Sequence, residues 1–118
     1  MRFEILVYHG FDELDAIAPS EVLRQAARKG ADFHVDLVST GEEEIEAANG
    51  LRLRVGGRLG GSGKPEVIVV PGGGWIDRAP RGSWAEAQKG VIPAEIKRLD
   101  AQGVKVASVC TGAMLWKT

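Results

Sequence analysis

The sequence predicts an α/β fold in which helices cover both faces of a mostly parallel β-sheet. Two observations support this prediction. Short apolar segments alternate with segments of helical periodicity, which is the order found in β-α-β units. In addition, Val67–Val70 and Val104–Val109 run directly into turns that contain glycine, as parallel strands do where they lead into helices.

The first third of the chain predicts a β-α-β unit. Phe3–Tyr8 is apolar and ends at His9-Gly10, so we expect a buried strand. A helix follows, with Pro19 in its first turn and Gly30 at its end. Its apolar stripe is expected to consist of Val22, Leu23, Ala26 and Ala27. The second strand is expected from Phe33 to Ser39.

The middle of the chain gives a weaker pattern. The turn dipeptide Asn49-Gly50 and the alternating apolar residues after it predict a minor hairpin within residues 42–64. Val67–Val70 then predicts a central parallel strand. The stretch that follows is expected to be irregular. It contains two tryptophans, of which Trp84 is expected to pack against the rest of the protein.

The last third predicts a helix from about Ile92 to Ala101, ended by Gly103. Its inward residues are expected to be Ile92, Ile96 and Leu99. The strand Val104–Val109 leads into a final helix that begins at Thr111. Helices average about 11 or 12 residues, and this one shows no stop within about seven. We therefore expect residues 1–118 to form one domain whose carboxyl-terminal part is missing.

Composition and charge favour a soluble globular protein. The formal net charge is -1 and the basic residues are scattered, which argues against nucleic acid as a partner. No apolar run reaches the roughly 20 residues of a membrane span, and the amino terminus lacks a secretory cleavage pattern, so we expect a cytoplasmic protein.

No cofactor or metal is predicted. The single cysteine, Cys110, excludes a Cys-based zinc site and an intrachain disulfide. The spacing around Gly63-Lys64 does not fit a phosphate-binding loop, and the third glycine of a dinucleotide fingerprint would fall at Asp77.

Three segments are expected at the carboxyl edge of the sheet, where α/β proteins bind ligands. They are Gly10–Asp15, Pro71–Trp75 and Cys110. Cys110 stands between a strand and a helix with small neighbours, as a nucleophile on a sharp turn requires. Free amides at the start of that helix would favour the thiolate, and they could bind an oxyanion together with Pro71-Gly72-Gly73-Gly74. The alternative for Cys110 is a small buried hydrophobic residue.

These residues resemble the ThiJ/PfpI superfamily. The resemblance consists of the strand followed by Cys110-Thr111-Gly112, of Val-Val-Pro71-Gly72-Gly73, and of an acid four residues before Pro19. It implies a flavodoxin-like three-layer sandwich, related to class I glutamine amidotransferases, and a homodimer. Leu14-Asp15-Ala16-Ile17-Ala18-Pro19 and Ser-Val-Cys-Thr-Gly are most similar to isonitrile hydratase, which adds water to an isocyanide to give an N-substituted formamide.

The resemblance also implies roles for individual residues. Cys110 would be the nucleophile and Asp15 the general acid and base, while Gly72, Gly73 and Thr111 would bind substrate or water. Trp75, beside the glycines, is a candidate for lining a substrate pocket.

The sequence leaves alternative functions open. No histidine follows Cys110, and of the two in the chain His34 is expected at the wrong edge of the sheet, so a Cys-His triad is unsupported. His9 is expected at the right edge but facing water. The alternatives are a glyoxalase, deglycase or amidase of the same superfamily, or the ligand-sensing domain of a transcription regulator. A redox-sensing role for Cys110 is compatible with each.

Overall fold

The computed structural model describes residues 1–117. The strands are β1 (Arg2–Leu6), β2 (His34–Ser39), β3 (Glu44–Glu46), β4 (Arg52–Arg54), β5 (Gly57–Arg58), β6 (Val67–Val70) and β7 (Lys105–Ser108). The helices are α1 (Glu13–Arg28), α2 (Ser83–Lys89), α3 (Val91–Ala101) and α4 (Gly112–Lys117). Five strands form a parallel sheet in the spatial order β5-β2-β1-β6-β7, and β3 and β4 form a separate antiparallel pair. The α/β fold class is confirmed.

Strand β1 lies at the centre of the sheet. Phe3 is in register with Val35 of β2 on one side and with Val67 of β6 on the other. Glu4, Ile5 and Leu6 are all buried, although successive side chains of a strand point to opposite faces. Both faces of the sheet are therefore covered at its centre. Among residues 1–117, no helix is long and apolar enough to cross a membrane.

Helix α1 starts earlier than the sequence predicted. The Asp12 carboxylate accepts a hydrogen bond from the Leu14 N–H at 3.1 Å and caps the helix at Glu13, so Pro19 lies in its interior rather than in its first turn. The predicted stripe also needs correction, because Val22 is 67% exposed. The inward face contains Ala16, Ser20 and Leu23 at helical spacing, and Val22 points about 100° away from Leu23.

The predicted hairpin is present as β3 and β4, with Ile45 opposite Leu53. Two short elements were missed. Strand β5 has only two residues, too few for a periodic pattern. Helix α2 was expected to be irregular chain; its N-cap is Gly82, which has no side chain to bond the first free amides, so the usual start signal is absent.

The last third of the fold follows the prediction. Ile92, Ile96 and Leu99 of α3 are buried, as expected from their spacing. Strand β7 pairs with β6, with Val70 opposite Ser108, and brings Cys110 to the carboxyl edge of the sheet. Helix α4 begins at Gly112, one residue after the predicted Thr111.

Candidate active site

Hydrogen bonds join the three predicted segments at the carboxyl edge of the sheet. The Asp12 N–H donates to the Gly72 carbonyl oxygen at 2.8 Å, and the Gly72 N–H donates to the Asp15 carboxylate at 3.2 Å. The Gly73 N–H donates to the Thr111 hydroxyl at 3.1 Å. The start of α1, the Pro71–Gly74 loop and the turn at Cys110 therefore form one connected unit.

Cys110 lies on a sharp turn between β7 and α4. Its φ of 54° is in the left-handed region, which a residue with a Cβ adopts only when the surrounding structure enforces it. The thiol is exposed. Close packing of the next turn against β6 holds this geometry, since a Cβ on Gly112 would stand 2.0 Å from the Val70 carbonyl oxygen. The predicted strand-to-helix turn is thus present, with an accessible sulfur at its corner.

Asp15 lies in the first turn of α1 and faces the glycine loop. Partial burial raises the pKa of its carboxyl above the usual 3.8. The hydrogen bond from Gly72 opposes this rise, and the negative charge of Asp12 adds to it. A carboxyl held in this balance is suited to giving and taking a proton.

The Pro71–Gly74 loop needs glycine for close approach. A Cβ on Gly72 would stand 2.5 Å from the Thr111 hydroxyl oxygen and 2.6 Å from the Thr111 nitrogen. Gly73 has a φ of 130°, where a side chain is strained. The N–H groups of both glycines are engaged within the protein, by Asp15 and by Thr111 respectively. The glycines thus bind the neighbouring segments in this state.

Thr111 and Ser83 fasten this loop through a closed set of hydrogen bonds. Ser83 Oγ donates to the Gly73 carbonyl oxygen at 2.9 Å and lies 3.1 Å from Thr111 Oγ1. Because the Gly73 N–H donates to Thr111, the Thr111 hydroxyl is free to donate to Ser83. Ser83 is fully buried and belongs to α2, so its place beside the site was not predicted from the sequence.

Tyr8 is a second site residue that sequence reasoning missed. It follows β1, it is 4% exposed, and its hydroxyl donates a hydrogen bond to the Pro71 carbonyl oxygen. Burial raises the pKa of this phenol far above its usual range, and negative charge on Asp15, Glu86 and Cys110 adds to the effect. The phenol is therefore a permanent donor. The available signal was a polar-tipped aromatic at the end of a buried strand.

The two histidines lie elsewhere. The His9 ring is paired with the Glu42 carboxylate through Nε2 and accepts a hydrogen bond from the Glu46 N–H at Nδ1 (3.2 Å). It was expected to face water and instead ties the end of β1 to β3. His34 lies at the amino end of β2, as expected, with Nε2 3.7 Å from an Asp32 carboxylate oxygen.

Trp75 was a candidate for lining a substrate pocket and Trp84 was expected to pack, and the two rings have different surroundings. Trp75 is half-buried and packs against the hydrophobic core. Trp84 is also half-buried, with the Arg78 guanidinium 5.8 Å from the centre of its ring.

A groove of about 560 Å³ borders the glycine loop. It shares Gly10 and Gly74 with the carboxyl edge. Its charged lining comprises Glu46, Asp77 and Arg81, and Arg81 Nη1 is paired with a Glu46 oxygen at 3.0 Å. Hydrogen bonds from Arg52 and Arg81 hold the pKa of Glu46 below its usual value, so both signs of charge are present in the groove at neutral pH.

The comparison with protein families decides the classification. The model of the DJ-1/PfpI family matches residues 1–118. The chain belongs to the DJ-1/PfpI family. This membership agrees with the resemblance in the sequence, and the flavodoxin-like arrangement of sheet and helices is the family's fold. It does not assign the isonitrile hydratase subgroup.

One curated protein is similar to this DJ-1/PfpI chain in sequence, and two solved structures share its fold. An uncharacterized protein in the cpoL 5′ region of Streptomyces lividans is 31% identical over 114 residues, which is 97% of this chain and 76% of that protein. Oxidized DJ-1 of Toxoplasma gondii has a TM-score of 0.74 and 20% identity, over 97% of this chain and 58% of that one. An AraC family transcriptional regulator from Pseudomonas putida has a TM-score of 0.74 and 18% identity, over 98% of this chain and 68% of that one.

Proposed function

We propose that this DJ-1/PfpI protein is a small-molecule enzyme in which Cys110 attacks an electrophilic carbon and Asp15 transfers the proton. The substrate we propose is an isocyanide. The observation that supports this most is the pairing of an exposed thiol at a φ of 54° with a carboxylate bonded to the adjoining glycine loop.

The proposed reaction needs no oxidant or reductant. The Asp15 carboxylate takes the thiol proton, and the Cys110 sulfur forms a bond to the terminal isocyanide carbon. Asp15 then returns the proton to that carbon, which gives a thioimidate. Water adds to the thioimidate carbon, a proton moves to nitrogen, and the C–S bond breaks to release an N-substituted formamide and the free thiol. The sum is one isocyanide and one water per formamide.

The test is hydration of cyclohexyl isocyanide by the purified protein, measured as loss of the isocyanide infrared band and formation of the formamide. Cys110→Ser is expected to abolish turnover and Asp15→Asn to reduce it at least about 100-fold, the usual contribution of a general acid–base group. The matched control is Asp100→Asn, an exposed carboxylate at the end of α3, which should retain full activity. Full hydration by Cys110→Ser would refute the nucleophile.

The wild type and the Cys110→Ser variant also test the alternative enzymatic functions. A glyoxalase, deglycase or amidase would also use the thiol on an electrophilic carbon. If the protein formed lactate from methylglyoxal without an added cofactor and did not hydrate the isocyanide, the function would be assigned to that class instead. Loss of this activity in Cys110→Ser would keep the nucleophile while changing the substrate.

A second candidate function is ligand sensing without turnover. It is favoured by the fold likeness to the AraC family regulator from Pseudomonas putida, which covers 98% of this chain. In that case calorimetry should detect binding of a small molecule that is recovered unchanged. Equal binding by the wild type and Cys110→Ser, with no product from either, would support sensing over catalysis.

We also propose that the protein is a homodimer. The outer side of α1 carries three exposed apolar side chains, Leu14 (71% exposed), Ile17 (38%) and Val22 (67%), of which the first two lie one helical turn apart. Exposed apolar faces of this kind commonly mark protein contacts. Light scattering should give twice the chain mass, and Leu14→Lys with Val22→Lys should give a folded monomer. A wild-type monomer across micromolar concentrations would contradict this part.

A further inference from the structure

We propose that Tyr8 is a positioning residue for Asp15: it holds and polarises the one peptide group, between Pro71 and Gly72, to which the Asp15 carboxylate is bonded. The inference deepens the proposed function, because it rests on Asp15 being the proton-transfer group.

The geometry joins the two side chains through a single planar unit. The Tyr8 hydroxyl donates to the Pro71 carbonyl oxygen, and the Gly72 N–H donates to Asp15 Oδ2 at 3.2 Å. The Pro71 carbonyl and the Gly72 N–H belong to the same peptide bond, whose six atoms share a plane through resonance. Tyr8 and Asp15 therefore bond opposite ends of one amide dipole.

A donor on the carbonyl strengthens the donor on the nitrogen. Hydrogen bonding at the oxygen shifts electron density along the amide and makes the N–H a better donor, which is the cooperative effect seen in hydrogen-bonded chains. A better donor to a carboxylate favours the ionised form. Tyr8 thus stabilises the Asp15 carboxylate without touching it.

Burial makes this arrangement permanent. Tyr8 is 4% exposed, and its phenol stays protonated because its pKa lies far above the usual range. The titratable groups around this peptide group are Asp12 beside Asp15, and Glu86 and Cys110 near the phenol. The Ser83 hydroxyl also lies near the phenol and partly opposes the rise in its pKa. Ionisation of the acidic groups disfavours loss of the phenol proton, so the donor persists over the working pH range.

The test measures the Asp15 carboxyl carbon and the Gly72 amide proton by NMR as functions of pH. Tyr8→Phe should raise the pKa of Asp15 by about half a unit and move the Gly72 amide proton upfield. Tyr8 is the only tyrosine in the chain, so biosynthetic replacement by 3-fluorotyrosine changes this residue alone. Its more acidic hydroxyl is a stronger donor, and both signals should move the opposite way.

The matched control is Asp12→Asn. Asparagine keeps a side-chain oxygen for the Leu14 N–H and removes the charge that raises the pKa of Asp15. This variant should lower the pKa of Asp15 while the Gly72 amide shift at full ionisation of Asp15 stays unchanged. Charge repulsion and peptide polarisation are thereby separated.

The outcome is decided without a substrate. Unchanged Asp15 and Gly72 signals in folded Tyr8→Phe, or shifts in the same direction for phenylalanine and 3-fluorotyrosine, would overturn the coupling. If Tyr8→Phe does not fold, the fluorinated protein alone decides by the sign of its shift. A protein that hydrates no isocyanide but shows the opposed shifts would disprove the proposed reaction and retain this inference.

Discussion

The Thr111 hydroxyl accepts a hydrogen bond from the Gly73 N–H at 3.1 Å and so fastens the residue after the cysteine to the glycine loop. The same hydroxyl lies 3.1 Å from Ser83 Oγ. One side chain therefore links the turn after β7, the loop after β6 and the start of α2. The site is held by hydroxyl groups as well as by backbone.

Replacement of Thr111 tests this link. Thr111→Val keeps the shape but leaves the Gly73 N–H without its acceptor, and we expect a loss of about 1–3 kcal/mol in the free energy of unfolding. Thr111→Ser keeps the hydroxyl and should be clearly more stable than the valine variant. Urea denaturation compares the two. Equal stability of the two variants would show that the hydroxyl does not fasten the loop.

Gly112 is expected to tolerate no side chain. A Cβ there would stand 2.0 Å from the Val70 carbonyl oxygen, and that contact is with backbone, which cannot rotate away. Gly112→Ala should lower the free energy of unfolding by about 1–3 kcal/mol or more and disturb the turn at Cys110. Its control is Gly41→Ala, where nothing lies within 4 Å of the added carbon. Thermal unfolding measures both, and equal midpoints would contradict the close approach.

Glu13 predicts a pH dependence of stability. Partial burial alone would raise its pKa, but hydrogen bonds from its own N–H, from Leu51 and from Asn49 lower it below 4.5. A carboxyl with a lower pKa in the folded state stabilises above the unfolded value, and this contribution is lost as the pH falls through 4.5 toward the folded value. Glu13→Gln should therefore weaken the fall in melting temperature below about pH 5. Parallel melting curves for the two proteins across the acid range would argue against it.

Asp15 predicts the acid side of the rate profile. Partial burial raises its pKa, and the proposed reaction begins with the carboxylate, so kcat/KM should rise with pH through that value. Asp12→Asn removes the neighbouring charge and should move this limb to lower pH. Initial rates of isocyanide hydration across the acid range check the shift. A limb that stays in place would mean that another group controls the rate.

Local patterns were sufficient for much of the fold. Ile92, Ile96 and Leu99 recur at helical spacing, and all three are buried in α3. Asn49-Gly50 marked the turn between β3 and β4. Helix α2 was not predicted because its N-cap, Gly82, has no capping side chain. The predicted start of α1 near Pro19 was wrong because Asp12 caps the helix well before that proline.

Placement at the carboxyl edge could be predicted for Cys110, Asp15, Gly72 and Gly73, because each follows or adjoins a strand end in the chain. Tyr8 also follows a strand end, but its bond to the glycine loop could not be predicted, and Ser83 lies on α2, away from any strand end. The Tyr8 hydroxyl bonds Pro71, 63 residues away along the chain, and the Ser83 hydroxyl bonds Gly73 and Thr111, at separations of 10 and 28 residues. Glu4 is a similar case outside the site: this buried carboxylate in an apolar strand accepts hydrogen bonds from Arg2 and from the Gly60 N–H.

The sequence by itself determined the strand-to-helix turn at Cys110, which depends on a short run of neighbouring residues, and the family, whose pattern extends over residues 1–118. The tertiary structure alone decided that one peptide group carries Tyr8 on its carbonyl and Asp15 on its amide. The physical reason is that periodicity and turn chemistry act over a few residues. Hydrogen bonds between buried polar groups depend on how distant segments meet at the edge of the sheet.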